Sequence, residues 1–274
     1  MQSRRKEKSQ YFREIFPKCS RLVAAETWQE LINKAETPEL LPVILKQYPD
    51  KPALPGYLSE LARLELFVFK LNKSTTPVPN YSKKLSINPT LELFDNSWRN
   101  LACHINDGDV MTDPEKGHEH VIIWRRPADD RIKAKPAGKD DLLAMKMALE
   151  NISVQDAASE GNVHAAAIEV ALIRALDEGI VIGPEPGIKR DYNPENFTKI
   201  DQSFFSARIF ALQWHITQAC DLHCRHCYDR NLYQSLSLQQ EIDILDNLAE
   251  FCSSHKVHGQ VTFTGGNPLL HPHF

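Results

Sequence analysis

Apolar positions at the front of the chain recur at helical spacing and are repeatedly cut by proline. Gln10–Phe16 predicts a short helix stopped at Pro17, Thr27–Lys34 a second, and Leu40–Tyr48 a third ending before Pro49. Tyr57–Leu71 is the longest. Its Leu58, Leu61, Ala62, Leu64, Glu65, Phe67, Val68 and Leu71 make a stripe broad enough to core a small bundle. Arg63 and Glu65 on that helix read as surface or interhelix polar contacts. From Lys73 to Tyr81 the chain turns polar, with Thr75-Thr76-Pro77-Val78-Pro79, and reads as a linker.

Beyond it the pattern changes. Thr90–Phe94 and Val121–Arg125 predict strands, and Arg131–Lys135 a weaker one. His118 and His120, in Gly-His-Glu-His, have metal-ligand chemistry but no carboxylate or histidine at a fixed spacing, so they are assigned to a loop before the second strand. Asp140–Glu150 is helical, with acidic residues favouring its amino end. Ser153 caps a short helix over Val154–Ala158, Glu160-Gly161 turn the chain, and Val163–Glu178 form a long helix ended by Gly179. Ile180–Ile182 is then a strand. Strands on either side of three helices make a winged helix-turn-helix pattern. Its charges argue against DNA: from Asn162 to Gly179, Arg174 is the one basic residue, against Glu169, Asp177 and Glu178, whereas phosphate binding needs the opposite balance.

Gly183–Asn196, with Pro184, Pro186 and Pro194, reads as a second linker. After it, Ala207–Ile216 is rich in β-branched and aromatic residues and predicts a strand. Ser237 opens a helix, with Gln240 at the capping-box position, and Ile242, Leu245, Leu248, Ala249 and Cys252 give it one apolar face. Gln260–Thr264 is a second strand, ending on Gly265-Gly266. The order strand, loop, helix, strand, glycine turn is the opening of a parallel β/α barrel, in which chemistry gathers at the carboxyl ends of strands. The fold class expected is therefore α+β and multidomain. It comprises a helical domain (1–72), a linker (73–89), a strand-containing region with a winged helix (90–183, helices about 140–179), a second linker (184–204) and the start of a parallel barrel (205–274).

Composition narrows the function classes. The formal net charge is −4, and no apolar run approaches membrane-spanning length, so neither a nucleic-acid footprint nor a membrane anchor is indicated. Six cysteines in a long chain without an apolar leader point to a reducing cytoplasm and not to a disulfide framework. Cys19, Cys103 and Cys252 stand apart as ordinary half-buried cysteines. The other three, Cys220, Cys224 and Cys227, form C-x3-C-x2-C in the run Cys-Asp-Leu-His-Cys-Arg-His-Cys-Tyr. Three thiolates on one loop can hold three irons of a [4Fe-4S] cluster and leave the fourth iron open. Zinc is the competing reading, with His223 or His226 completing its shell, although no second C-x2-C is present.

The cysteine spacing, with the aromatic His226 before the last cysteine, resembles the radical S-adenosylmethionine superfamily. That resemblance implies a [4Fe-4S] cluster on Cys220, Cys224 and Cys227. It also implies that the open iron chelates S-adenosylmethionine and that an electron from the cluster cleaves it to a 5'-deoxyadenosyl radical. It further implies His226 near the adenine, and Gly265, Gly266 and Asn267 at the methionine end, where the family usually has Gly-Gly-Glu. Asn267 keeps a side-chain carbonyl able to accept from an ammonium but brings no charge.

The segment over 140–183 resembles the PqqD-like peptide-recognition domain that precedes many such enzymes, in which a leader peptide adds as a strand to the sheet edge. Leu54–Glu65 resembles a helical domain at the front of some peptide-cofactor biosynthesis proteins. The order of these parts is similar to the thio(seleno)oxazole-modification radical SAM maturases. Precursor peptide and an electron-donor protein are the partners this implies. Such barrels need several further β/α units, so the barrel is expected to be truncated at Phe274, with no residue assigned to choosing the substrate hydrogen. The other readings are a peptide-binding remnant without catalysis and a zinc-containing DNA-binding regulator.

Overall fold

The periodic front segment is helical in the computed structural model, which describes residues 2–47, 54–106, 112–190, 205–227 and 236–274. These fall into two units, 1–183 and 184–274. Tyr48, and the second linker from residue 191 to 204, lie outside the described residues.

In the first unit, α1 (Gln2–Ile15), α2 (Cys19–Leu22), α3 (Ala25–Lys34), α4 (Leu40–Lys46) and α5 (Leu58–Lys73) surround one core. Helix α1 begins well before the expected Gln10. Its first turns, Gln2–Lys8, are polar residues with no apolar period to announce them. Helix α5 turns Leu58, Leu61, Ala62, Leu64 and Leu71 inward, together with Glu65. Glu65 is 4% exposed, and its carboxylate accepts the main-chain N–H groups of Lys18 at 2.6 Å and Cys19 at 3.0 Å. It thus caps the amino end of α2, whose free amides have no partner within the helix. Burial pushes the carboxyl of Glu65 above its ordinary range. The Cys19 thiol is also pushed up, first by burial and then by the neighbouring Glu65.

Strands β1 (Ser86–Ile87), β2 (Glu92–Arg99), β3 (Glu115–Arg125) and β4 (Ile132–Pro136) precede α6 (Lys139–Glu150), α7 (Val154–Gly161), α8 (Ala165–Asp177) and β5 (Val181–Ile182). The antiparallel sheet runs β2-β3-β4, and β1 pairs separately with β5. The second half of central β3, Val121–Arg125, is buried on both faces. Val121 and Ile123 enter the helical core, whereas Ile122 and Trp124 enter a second core with α6, α7 and α8. A strand covered on both sides reads as a continuous apolar run, as Val121–Ile123 does.

Two expectations need correction here. Helix α7 continues through Glu160 and Gly161 and turns only at left-handed Asn162 (φ 48°). Strand β3 begins at Glu115, so His118 and His120 lie on a strand and not in a loop. Its first half is polar and half-exposed, so no apolar alternation marks it. Pairing with β2, from Glu92↔Ile123 to Arg99↔Glu115, is what defines it.

Both outer edges of the sheet carry side-chain partners. On β2, Ser97 N–H donates to the Glu60 carboxylate at 2.9 and 3.0 Å, and Asp95 C=O accepts from Arg63 at 2.5 Å. On β4, the Asn106 side chain takes both main-chain groups of Ala134, at 2.7 and 3.1 Å. Covering an edge in this way blocks unintended strand pairing.

The second unit holds β6 (Ile188–Lys189), β7 (Ser206–Ala207), β8 (Ile209–Thr217), α9 (Leu238–His255) and β9 (His258–Gly265). Strands β8 and β9 pair in parallel, joined through α9, and β6 pairs with β7. No closed barrel is present among the described residues. The capping box forms: Gln240 N–H donates to Ser237 Oγ, and Ser237 N–H donates to Gln240 Oε1 at 2.9 Å. The buried stripe of α9 is rotated from the expected one. Glu241 and Cys252 are buried and Ile244 and Leu248 half-buried, while Ile242, Leu245 and Ala249 are exposed. Two strands are too narrow to cover an apolar face that spans more than a third of the helix.

Candidate functional site: the cysteine loop and the glycine turn

Parallel pairing puts the carboxyl ends of β8 and β9 side by side, so the chain leaving Thr217 meets the chain leaving Gly265. Main-chain bonds join the two. Gly266 N–H donates to Thr217 C=O at 2.7 Å, and Asn267 N–H donates to Ala219 C=O at 2.8 Å. The approach leaves no room for side chains. A Cβ on Gly266 would sit 2.8 Å from the Ala219 carbonyl carbon and 2.9 Å from that of Gln218. Gly265 has φ +108°, and a Cβ there would collide with the Thr217 carbonyl oxygen. Glycine is thus required twice, by conformation and by contact.

The loop that this turn supports carries Cys220, Cys224 and Cys227, all exposed to solvent and none in a disulfide. Cys227 N–H donates to Cys224 C=O at 3.2 Å, a tight turn that holds Arg225 and His226 between two thiols. His226 is exposed as well. The three sulfurs are not gathered round a single point. Among the described residues, the group of three potential ligands whose atoms lie within 4.8 Å of one another is Asp95, His118 and His120, in the first unit.

Asn267 faces the cysteine loop in a way the sequence did not disclose. Its Nδ2 donates to the Asp221 carboxylate at 3.1 Å, and its Oδ1 accepts Leu269 N–H at 3.2 Å, capping the 3-10 turn Pro268–Leu270. Nothing in the sequence singles out Asp221, which sits between cysteines that explain the run by themselves. Only the return of β9 shows that its carboxylate stands at the glycine turn. The same segment is braced from below by His271, whose Nε2 lies 2.9 Å from Glu241 at the start of α9, both side chains nearly buried.

Chemically, the site offers three accessible thiols able to ligate a soft metal centre, a carboxylate and an amide at one end, and a main-chain platform that holds their spacing. No protein-family model and no curated protein matches this chain.

Proposed function

We propose that the chain belongs to the radical S-adenosylmethionine peptide maturases. Cys220, Cys224 and Cys227 would ligate a [4Fe-4S] cluster and the Gly265–Asn267 turn would hold the methionine end of S-adenosylmethionine. The observation that carries this reading is the docking of Gly265-Gly266-Asn267 onto the base of the cysteine loop through two main-chain bonds. A lone glycine pair is only a turn; this one shares the carboxyl end of a parallel sheet with a loop that carries three cysteines. The residues fit the group. All three thiols are accessible and share one loop, which is the donor set such a cluster needs. When bound, the cluster supplies the electron that opens the sulfonium.

The chain's own residues provide position and charge. Asp221, held by Asn267 Nδ2, brings to the turn the negative charge that Asn267 lacks, so an ammonium there meets a carboxylate from the neighbouring loop. In this reading β8, α9 and β9 are the first units of a radical SAM barrel. Strands β2–β4 with α6–α8 are a PqqD-like module for a peptide leader. A leader adding to β4 must displace Asn106, which already makes at Ala134 the pair of main-chain bonds that a peptide strand makes.

Anaerobic reconstitution tests the proposal. Iron and sulfide should bind to the chain and be lost in Cys224→Ala, and reductant with S-adenosylmethionine should yield 5'-deoxyadenosine. A reconstituted chain without iron-sulfur absorbance overturns it.

A further inference from the structure

We propose that Asp95, His118 and His120 form a second metal site, for a divalent ion of the zinc class, on the exposed end of the β2–β3 pair and independent of the cysteine loop. Side chains two apart on a strand share a face, so His118 and His120 project together from β3. The register sets Asp95 on β2 directly opposite His120. Beyond Asn96 the register shifts: Ser97 on β2 answers two residues on β3, Gly117 and His118, so β3 carries the extra residue and bends there. The result is a three-point cluster: His118 Nε2 lies 2.6 Å from Asp95 Oδ1, His120 Nδ1 lies 3.7 Å from the same oxygen, and all three ligand atoms fall within 4.8 Å.

A hydrogen-bonded surface pair accounts for half of this arrangement only. His118 and Asp95 satisfy each other. His120 does not join them: its Nδ1 is shielded from solvent yet has no hydrogen-bond partner, at a distance from the carboxylate too long for a bond. A cation placed among the three atoms would use that nitrogen and replace the short His118–Asp95 contact with two metal bonds. The rings are already at 4.7 Å and nearly perpendicular, so neither blocks the other. Two imidazoles and one carboxylate are a donor set for zinc and its borderline neighbours, and three protein ligands leave a position open. That position faces water, because the side chains of Asp95 and His118 are about two-thirds exposed at 68% and 65%. The site is therefore exchangeable and open to a further carboxylate, imidazole or thiolate ligand.

The test uses the full chain carrying Cys220→Ser, Cys224→Ser and Cys227→Ser, which removes competing thiolates, titrated with zinc chloride by calorimetry. One zinc per chain should bind. Affinity should fall at least about tenfold in His118→Ala, in His120→Ala and in Asp95→Ala, since even groups that only orient a ligand contribute that much. His164→Ala, on an exposed histidine elsewhere in the unit, should bind as before. Thermal unfolding of the same variants without metal checks that each is folded. Absence of zinc binding, or binding unaltered in the His118→Ala/His120→Ala double variant, overturns the site. Neither result bears on iron-sulfur loading, which is read on the chain with its cysteines intact.

Discussion

Replacing Gly266 by alanine should uncouple the cysteine loop from the strand ends that support it. The added Cβ collides with the Ala219 carbonyl oxygen and also falls 2.8 Å from its carbon, where ordinary contact begins at 3.4 Å, so one chain must retreat by more than the 3.4 − 2.8 = 0.6 Å that the carbon alone demands. That retreat stretches the Asn267 N–H to Ala219 C=O bond from 2.8 Å toward about 3.4 Å, beyond the usual range, at a cost of roughly 0.5–1.5 kcal/mol. Ala219 immediately precedes Cys220, and metal-ligand distances tolerate only about 0.2 Å. The variant should therefore hold less cluster: iron and sulfide per chain after anaerobic reconstitution should drop severalfold, with the far-ultraviolet circular dichroism unchanged. Gly161→Ala is the matched control, since its Cβ meets only Val163 at an ordinary 3.4 Å and the substitution should leave loading intact. Full loading of Gly266→Ala would refute the claim that the glycine turn positions the cysteines.

Other consequences are equally direct. Glu65→Ala strips the half-buried Lys18 amide and the buried Cys19 amide of their acceptor and should destabilise the first unit by about 2–3 kcal/mol, lowering its melting temperature by roughly 4–12 °C. A calorimetric shift below about 1 °C would sink that account. Asn106→Ala frees the Ala134 edge and should increase either self-association or binding of an extended peptide. Sedimentation and fluorescence anisotropy read the two, and no change in either would show that the edge is closed by something else. Asp129 is held below the ordinary carboxylate range, chiefly by hydrogen bonds from Arg126. A depressed folded value means that the unfolded chain takes up the proton first. Its contribution, about 0.5 kcal/mol, is thus present above the ordinary aspartate pKa and is lost as pH falls through the lowered value. The stability difference between the natural chain and Asp129→Asn, from urea unfolding, should shrink on acidification; a difference that grows would contradict the assignment.

Periodicity made the elements legible wherever one face is apolar. Helix α5 declares itself in its leucines, and α9 begins where Ser237 and Gln240 can cap it. The same signal is silent for polar segments, which is why nothing in the sequence announces Gln2–Lys8 or the first half of β3. A polar strand is defined by the neighbour it pairs with, and that neighbour is distant in sequence. The rotated face of α9 has the same origin: sequence shows which residues are apolar, and the width of the partner sheet selects which of them are covered.

The candidate site divides along the same line. Spacing marked Cys220, Cys224 and Cys227, and the resemblance that this spacing carries marked His226 and the Gly265–Asn267 turn, all of them local features of the sequence. Parallel pairing of β8 with β9 was needed to bring the turn onto the loop, to show why glycine is required there, and to place Asp221 beside Asn267. Asp95 with His118 and His120 is the extreme case. The chain holds the carboxylate and the imidazoles more than twenty positions apart, and cross-strand register makes them neighbours. Sequence determines which donors exist; only tertiary pairing, which converts separation along the chain into contact in space, decides which of them meet.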